Sequence, residues 1–257
     1  MYTRGLLEWL LALVLLVNGC GSAADQPVAD HPGWMVAWSD TFDGNLDSDH
    51  WGAYGWGRQE VGNGAMGVYK VNNVYNSRGA LTLRTHYENG AWTSAGVSGA
   101  PSYTAAGGRW EVRARFDRAI GIGYAFLLYP DDDTWPPEIN FAEGRVSGPD
   151  VMAAYHWGSN NNQDHRFLKV PNLSQWHTYG VIIEADRLIF TFDGQPWSEM
   201  PNDHVTTKRM WIGFQTGAMD PNGSAKQYET VAGGVPNPDT PDTSVVQIDW
   251  VAHYVKS

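Results

Sequence analysis

Along most of the chain, apolar and polar residues alternate with a period of two, and no window sustains a helical period. In Trp110-Glu111-Val112-Arg113-Ala114-Arg115-Phe116 the apolar side chains share one face and the charged ones the other. Leu81, Leu83 and Thr85 alternate with Thr82 and Arg84, and Val246, Ile248 and Trp250 alternate with Gln247 and Asp249. Tyr179, Val181 and Ile183 follow the same rhythm less cleanly. Leu188, Phe190 and Phe192 run into Asp193-Gly194, a pair suited to a two-residue hairpin turn. The 29 glycines and 14 prolines punctuate these runs. Many short half-buried strands with frequent turns predict an all-β sandwich or barrel. Residues 217–244, rich in Gly, Pro, Asn and Asp, predict a long surface loop before the last strand.

The ends of the chain change this picture. Leu6 to Val17 is an apolar stretch behind Arg4, interrupted by Glu8 and too short to span a bilayer comfortably. Residues 1–24 therefore read as an export signal, 25–33 as a tether, and 34–257 as one β domain. Two cleavage readings compete. Val17-Asn18-Gly19-Cys20 resembles a bacterial lipobox, whereas Ser22-Ala23-Ala24 resembles an ordinary signal-peptidase site. Either places the protein outside the cytoplasm, secreted or tied to the envelope by a lipid on Cys20. As the only cysteine, Cys20 has no partner for an intramolecular disulfide, so the core must hold the domain. The formal net charge of -11 argues against nucleic acid as a partner and is compatible with a neutral substrate. Thirteen Trp and twelve Tyr can fill a β core or stack on sugar faces.

The segment that carries chemistry is Trp135-Pro136-Pro137-Glu138-Ile139-Asn140-Phe141-Ala142-Glu143-Gly144. On a strand, Glu138 and Asn140 project from the same face. Glu143 would point to the opposite face, unless a β-bulge at about Phe141-Ala142 returns it. Two carboxyl groups would then flank one amide on one face. Carboxyls converging from such positions can reach the roughly 5–5.5 Å separation used by retaining glycosidases. Trp135 either stacks on a ligand or closes a turn. His156 either helps position an acid or is a satisfied structural group. Gln215 shares strand parity with Trp211, while Trp176 and His177 read as packing at a hairpin. No His/Cys spacing suggests zinc, and no cofactor is expected.

Glu138 to Glu143 resembles the E-x-D-x-x-E motif of glycoside hydrolase family 16, with Asn140 in the Asp position. Trp38-Ser39-Asp40-Thr41-Phe42-Asp43-Gly44 is similar to the family's opening strand, and Gly108-Arg109-Trp110-Glu111-Val112-Arg113 to its G-x-[FW]-E-x-R strand. His156-Trp157-Gly158, Trp176-His177-Thr178-Tyr179 with Asp193-Gly194, and Ile248-Asp249-Trp250-Val251 follow in the family's order. The resemblance covers nearly all of the chain from about residue 34. It implies a concave jelly-roll β-sandwich of two antiparallel sheets and retaining hydrolysis of β-glucans by a monomer. Glu138 would be the nucleophile and Glu143 the acid/base. Asn140 would stand beside them, and Trp135, His156, Trp157, Asn73, Arg113 and Gln215 would line the substrate cleft. A structural calcium on the convex side would draw on Asp43 and Asp249.

Two departures from the family pattern bear on activity. Asn140 keeps the shape of Asp but carries no charge. Losing one negative neighbour predicts a lower pKa for Glu143, a rate profile displaced to lower pH and a reduced rate at neutral pH. The family's W-P-A-F-W-like run is Gly123-Tyr124-Ala125-Phe126-Leu127-Leu128 here, which predicts a different cleft floor. The bulged spacing favours laminarinase-type β-1,3 hydrolysis, with mixed β-1,3/1,4-glucan as a further substrate. A β-glucan-binding protein with weakened catalysis, a transglycosylase and a galactan hydrolase of the same family stand as rival expectations.

Overall fold

The computed structural model describes residues 28–55, 57–61, 64–220 and 234–257. The expected export segment and Cys20 lie outside these residues, as does the middle of the 217–244 loop. The strands in chain order are β1 (Trp34–Asp40), β2 (Gly52–Ala53), β3 (Gly57–Val61), β4 (Gly64–Tyr69), β5 (Val74–Asn76), β6 (Leu81–Glu88) and β7 (Ala91–Ser98). There follow β8 (Gly108–Phe116), β9 (Ile122–Pro130), β10 (Glu138–Arg145), β11 (Asp150–Trp157), β12 (Asn162–Lys169) and β13 (His177–Ile183). The last are β14 (Arg187–Phe192), β15 (Gln195–Pro201), β16 (Met210–Ala218) and β17 (Thr243–Lys256).

These strands form an all-β sandwich of two curved sheets. One runs β12-β11-β10-β9-β16-β7, antiparallel throughout. The other runs β17-β8-β13-β14-β15, with β1 and β6 on the far side of β17. β7 also pairs with β6 and so joins the two sheets along one side. The predicted alternation explains what fills the space between them. Trp110, Val112, Ala114 and Phe116 of β8 face Tyr124, Phe126 and Leu128 of β9 and Ile212 and Phe214 of β16, all at most 1% exposed. Ring contacts such as Phe126–Phe214, 5.1 Å apart and edge-on, knit the layer. The Asp193-Gly194 turn has positive φ at both residues, 48° and 75°, as a hairpin of that type requires.

One expectation of strand parity is corrected. Val246 and Ile248 enter the core, but the register of β17 shifts between Ile248 and Trp250. Residues Asp249 and Trp250 together oppose Arg113, and this bulge turns Trp250 to the outer face, where it packs with Ala252 and Tyr254.

Candidate active site

β10 also carries a bulge, at the place expected from its sequence. Against β9, Asn140 pairs with Leu127 and Ala142 with Phe126; against β11, Asn140 pairs with Ala154 and Glu143 with Met152. One residue of β10 is therefore extra between Asn140 and Glu143. Ile139, Phe141 and Ala142 turn into the core. Glu138, Asn140 and Glu143 line one open pocket of about 260 Å³ with Trp135, His156, Asn161 and Gln163. Without the extra residue, Glu143 would be a buried charge between the sheets, which is costly unless it is paired.

The register sets out the cleft in rows across the strands. One row reads Gln163, His156, Glu138 from β12 to β10. The next reads His165, Ala154, Asn140, Leu127, Gly213 and Ser98. A third reads Phe167, Met152, Glu143, Ala125, Gln215 and Gly96. Asn140 is 3% exposed, and its Nδ2 donates to Glu138 Oε1 at 2.8 Å. Its Oδ1 is buried and has no partner among the described residues.

Phenols surround the carboxylates. Burial pushes the Tyr54 hydroxyl well above its ordinary pKa; a bond with Gln215 opposes this and the charge of Glu138 adds to it. Tyr129 is raised by burial, then by Glu138 and by Asp133 and Asp132. Beneath the sheet, Tyr124 is raised by burial and by the charge of Glu143. These tyrosines stay protonated near neutrality, so none competes with a glutamate for the role of base. His165 is lowered by burial and by neighbouring His156, with Asp164 opposing.

The other residues singled out from the sequence divide. Trp135 stands at the cleft mouth, 47% exposed, with its ring 5.9 Å from that of His156. His156 lies opposite Glu138 in register, and its Nδ1 is 2.8 Å from Asn161 Oδ1. Gln215 is on the cleft face and accepts from the Tyr69 hydroxyl at 3.4 Å. Trp157 is not in the pocket: parity turns it away from His156, and it stacks on Tyr155 at 5.4 Å against the core. Asn73 is buried with both ends of its amide engaged, donating to Thr93 and Ser94 and accepting from Arg84. Arg113 lies on the outer face of the opposite sheet, bonded to Asp249 at 2.6 Å and over the ring of Trp176. Asn161 and Gln163 line the pocket without having been singled out as ligands, Tyr54 and Tyr129 lie in the field of Glu138, and Trp211 packs beside Tyr129. The parity of Trp211 with Gln215 was a usable signal. Tyr54 follows a two-residue strand and gave none.

A larger hollow of about 960 Å³ lies on the outer face, beside Arg113, Trp176, Trp250 and Tyr254. Its charges are largely paired: Glu111 with Arg109 and His31, Arg113 with Asp249, His177 with Asp193. Asp30, Glu111 and Asp193 also line it, but Glu111 and Asp193 are held in ion pairs, whereas Glu138 and Glu143 flank Asn140 in the smaller pocket. Asp249 and Asp43 feel one another's charge, as the expected calcium pair would. Asp249, however, is already taken up by Arg113, and among the described residues no three His, Cys, Asp or Glu side chains converge.

With this geometry in hand, comparison with known proteins is informative. The model of the family described as glycosyl hydrolases family 16 matches residues 62–251. A β-glucanase of Rhodothermus marinus is 28% identical over 221 residues, covering 76% of this chain and 75% of that protein. A glucan endo-1,3-β-glucosidase of Cryptopygus antarcticus is 26% identical over 222 residues, covering 76% of each. The catalytic domain of an endo-1,3-β-glucanase (laminarinase) from Thermotoga petrophila RKU-1 superposes with a TM-score of 0.71 at 18% identity. That match covers 87% of this chain and 98% of that one.

Proposed function

Because the chain belongs to glycosyl hydrolases family 16 and is a glycoside hydrolase, we propose that it is a retaining endo-β-glucanase acting on β-1,3 or mixed β-1,3/1,4-glucans. The observation that carries this reading is the bulge in β10, which leaves Glu138, Asn140 and Glu143 together on the wall of one open cleft. The names of the relatives support the substrate class.

In the proposed mechanism the Glu138 carboxylate attacks the anomeric carbon while Glu143 protonates the departing glycosidic oxygen. The covalent glycosyl-enzyme is then opened by water, whose proton goes to Glu143. The two groups sit in different surroundings: Glu138 is half-buried and accepts a hydrogen bond from Asn140, whereas Glu143 is 7% exposed. The protein would act as a monomer outside the cytoplasm, where the polymer is.

Reducing-sugar release from laminarin, mixed-linkage glucan, xyloglucan, agarose and carrageenan, with Glu138→Gln as control, tests the reading. Release from laminarin or mixed-linkage glucan that disappears in the variant is expected. Release from a galactan alone would replace the substrate. Binding of laminarin without any hydrolysis would replace the enzyme with a glucan-binding protein.

A further inference from the structure

Glycine at position 213 has a consequence for the cleft floor. On β16, Ile212 and Phe214 enter the core, so Trp211, Gly213 and Gln215 face the cleft. A Cβ added at Gly213 would stand 2.8 Å from Cζ3 of Trp211, 3.6 Å from its Cε3 and 3.3 Å from Cδ1 of Leu127. The indole therefore leans along its own strand, over residue 213 and toward Leu127. Any side chain at 213 would lift it. Tyr129 flanks the ring at 5.3 Å with the planes 41° apart. Tyr129 in turn lies in the field of Glu138. The indole is half-buried, so part of it meets solvent in the cleft.

On the other side of Glu138, Trp135 stands with His156 of β11. From β11 to β16 is three strand intervals, about 14 Å at the spacing of a sheet. The reacting strand β10 thus lies between two tryptophans, with a floor of Ala125, Leu127 and Gly213 that leaves room above it. The negative π face of an indole attracts the weakly positive C–H face of a pyranose, and apolar area is buried on both sides.

We propose that Trp211, laid flat by Gly213, is a sugar-stacking platform on the β16 side of Glu138, opposite Trp135, so that the glucan crosses the strands of the sheet. The inference rests on the glucanase reading and deepens it by assigning a binding residue and a direction to the chain.

The test is calorimetric titration of laminarihexaose into the full chain carrying Glu138→Gln, which removes turnover. Adding Trp211→Ala should weaken binding by about tenfold, the scale expected for losing one stacked sugar face. Adding Gly213→Ala instead should lose part of that affinity by lifting the ring. The two changes together should be no worse than Trp211→Ala alone, because they remove the same contact. Unchanged affinity in Trp211→Ala, with the parent still binding, overturns the platform and leaves the glucanase reading standing. A parent that binds neither laminarihexaose nor a mixed-linkage β-1,3/1,4-glucan hexasaccharide overturns that reading and this inference with it.

Discussion

Replacing Asn140 by Leu isolates what one amide does for the nucleophile. Asn140 Nδ2 donates to Glu138 Oε1 at 2.8 Å from a side chain only 3% exposed. A hydrogen bond to a charged group is worth about 1.5–3 kcal/mol, and about 1.4 kcal/mol is a factor of ten in rate. Glu138 is only half-buried, so water replaces part of the lost donor and the lower end applies. If the amide fixes the Glu138 carboxylate for attack, kcat/KM on laminarin should fall about tenfold in Asn140→Leu. Stability should hold, because Asn140 Oδ1 is a buried acceptor without a partner among the described residues, and Leu removes it. Asn140→Asp has a different signature. It restores the carboxylate that the family's motif carries at this position, so the rate at neutral pH should rise. The assay is laminarin hydrolysis across the pH range, with thermal midpoints as the control for folding. An unchanged kcat/KM in Asn140→Leu, in a protein of unchanged thermal midpoint, would refute the claim that the amide positions Glu138.

Three further outcomes follow from the same structure. Glu143→Gln should slow laminarin hydrolysis by about 10²–10⁴-fold, yet largely spare the first step on a dinitrophenyl β-laminaribioside, whose leaving group needs no proton; equal losses on both would remove Glu143 from the acid role. Arg113→Ala should destabilise the fold by about 3 kcal/mol, because it strands the Asp249 carboxylate. Urea unfolding measures this, and a loss of kcat/KM at unchanged stability would contradict the placement of Arg113 on the outer face. His253, 1% exposed, has its pKa lowered by burial, with its bond to Gly107 opposing. Below about pH 6.5 the unfolded chain takes up a proton that the folded one resists, so stability should fall as pH drops through that value, by at most about 1.4 kcal/mol per unit. Thermal midpoints from pH 7.5 to 5 should fall less steeply in His253→Gln.

Period-two patterning made the sandwich legible, because a strand with one buried face writes that face into every second residue. β8 and the paired rows of β6 and β13 sit where the alternation put them. Ordered motifs made the reacting strand legible as well. What the sequence concealed were side chains whose function depends on the opposite partner. The family resemblance makes Arg113 a cleft residue, but its sheet faces outward there, and only the pairing with Asp249 across β17 reveals this. Asn73 is polar and central, yet Arg84, Thr93 and Ser94 consume its hydrogen-bonding capacity. Neither fact is local in sequence.

The two bulges make the same point from opposite directions. Each inserts one residue, and each exchanges the faces of everything beyond it. In β10 the insertion was foreseeable, because the mechanism expected of the two glutamates needs both on one face of the sheet. In β17 no such demand exists, and simple alternation placed Trp250 with Val246 and Ile248. The structure turns Trp250 outward instead, and Asp249 meets Arg113. Composition gives neither bulge away: Phe141-Ala142 and Asp249-Trp250 have nothing in common. A bulge becomes readable when chemistry constrains the residues on both sides of it. The bulge in the strand of the two glutamates was therefore easier to foresee than the one in the strand that closes the fold.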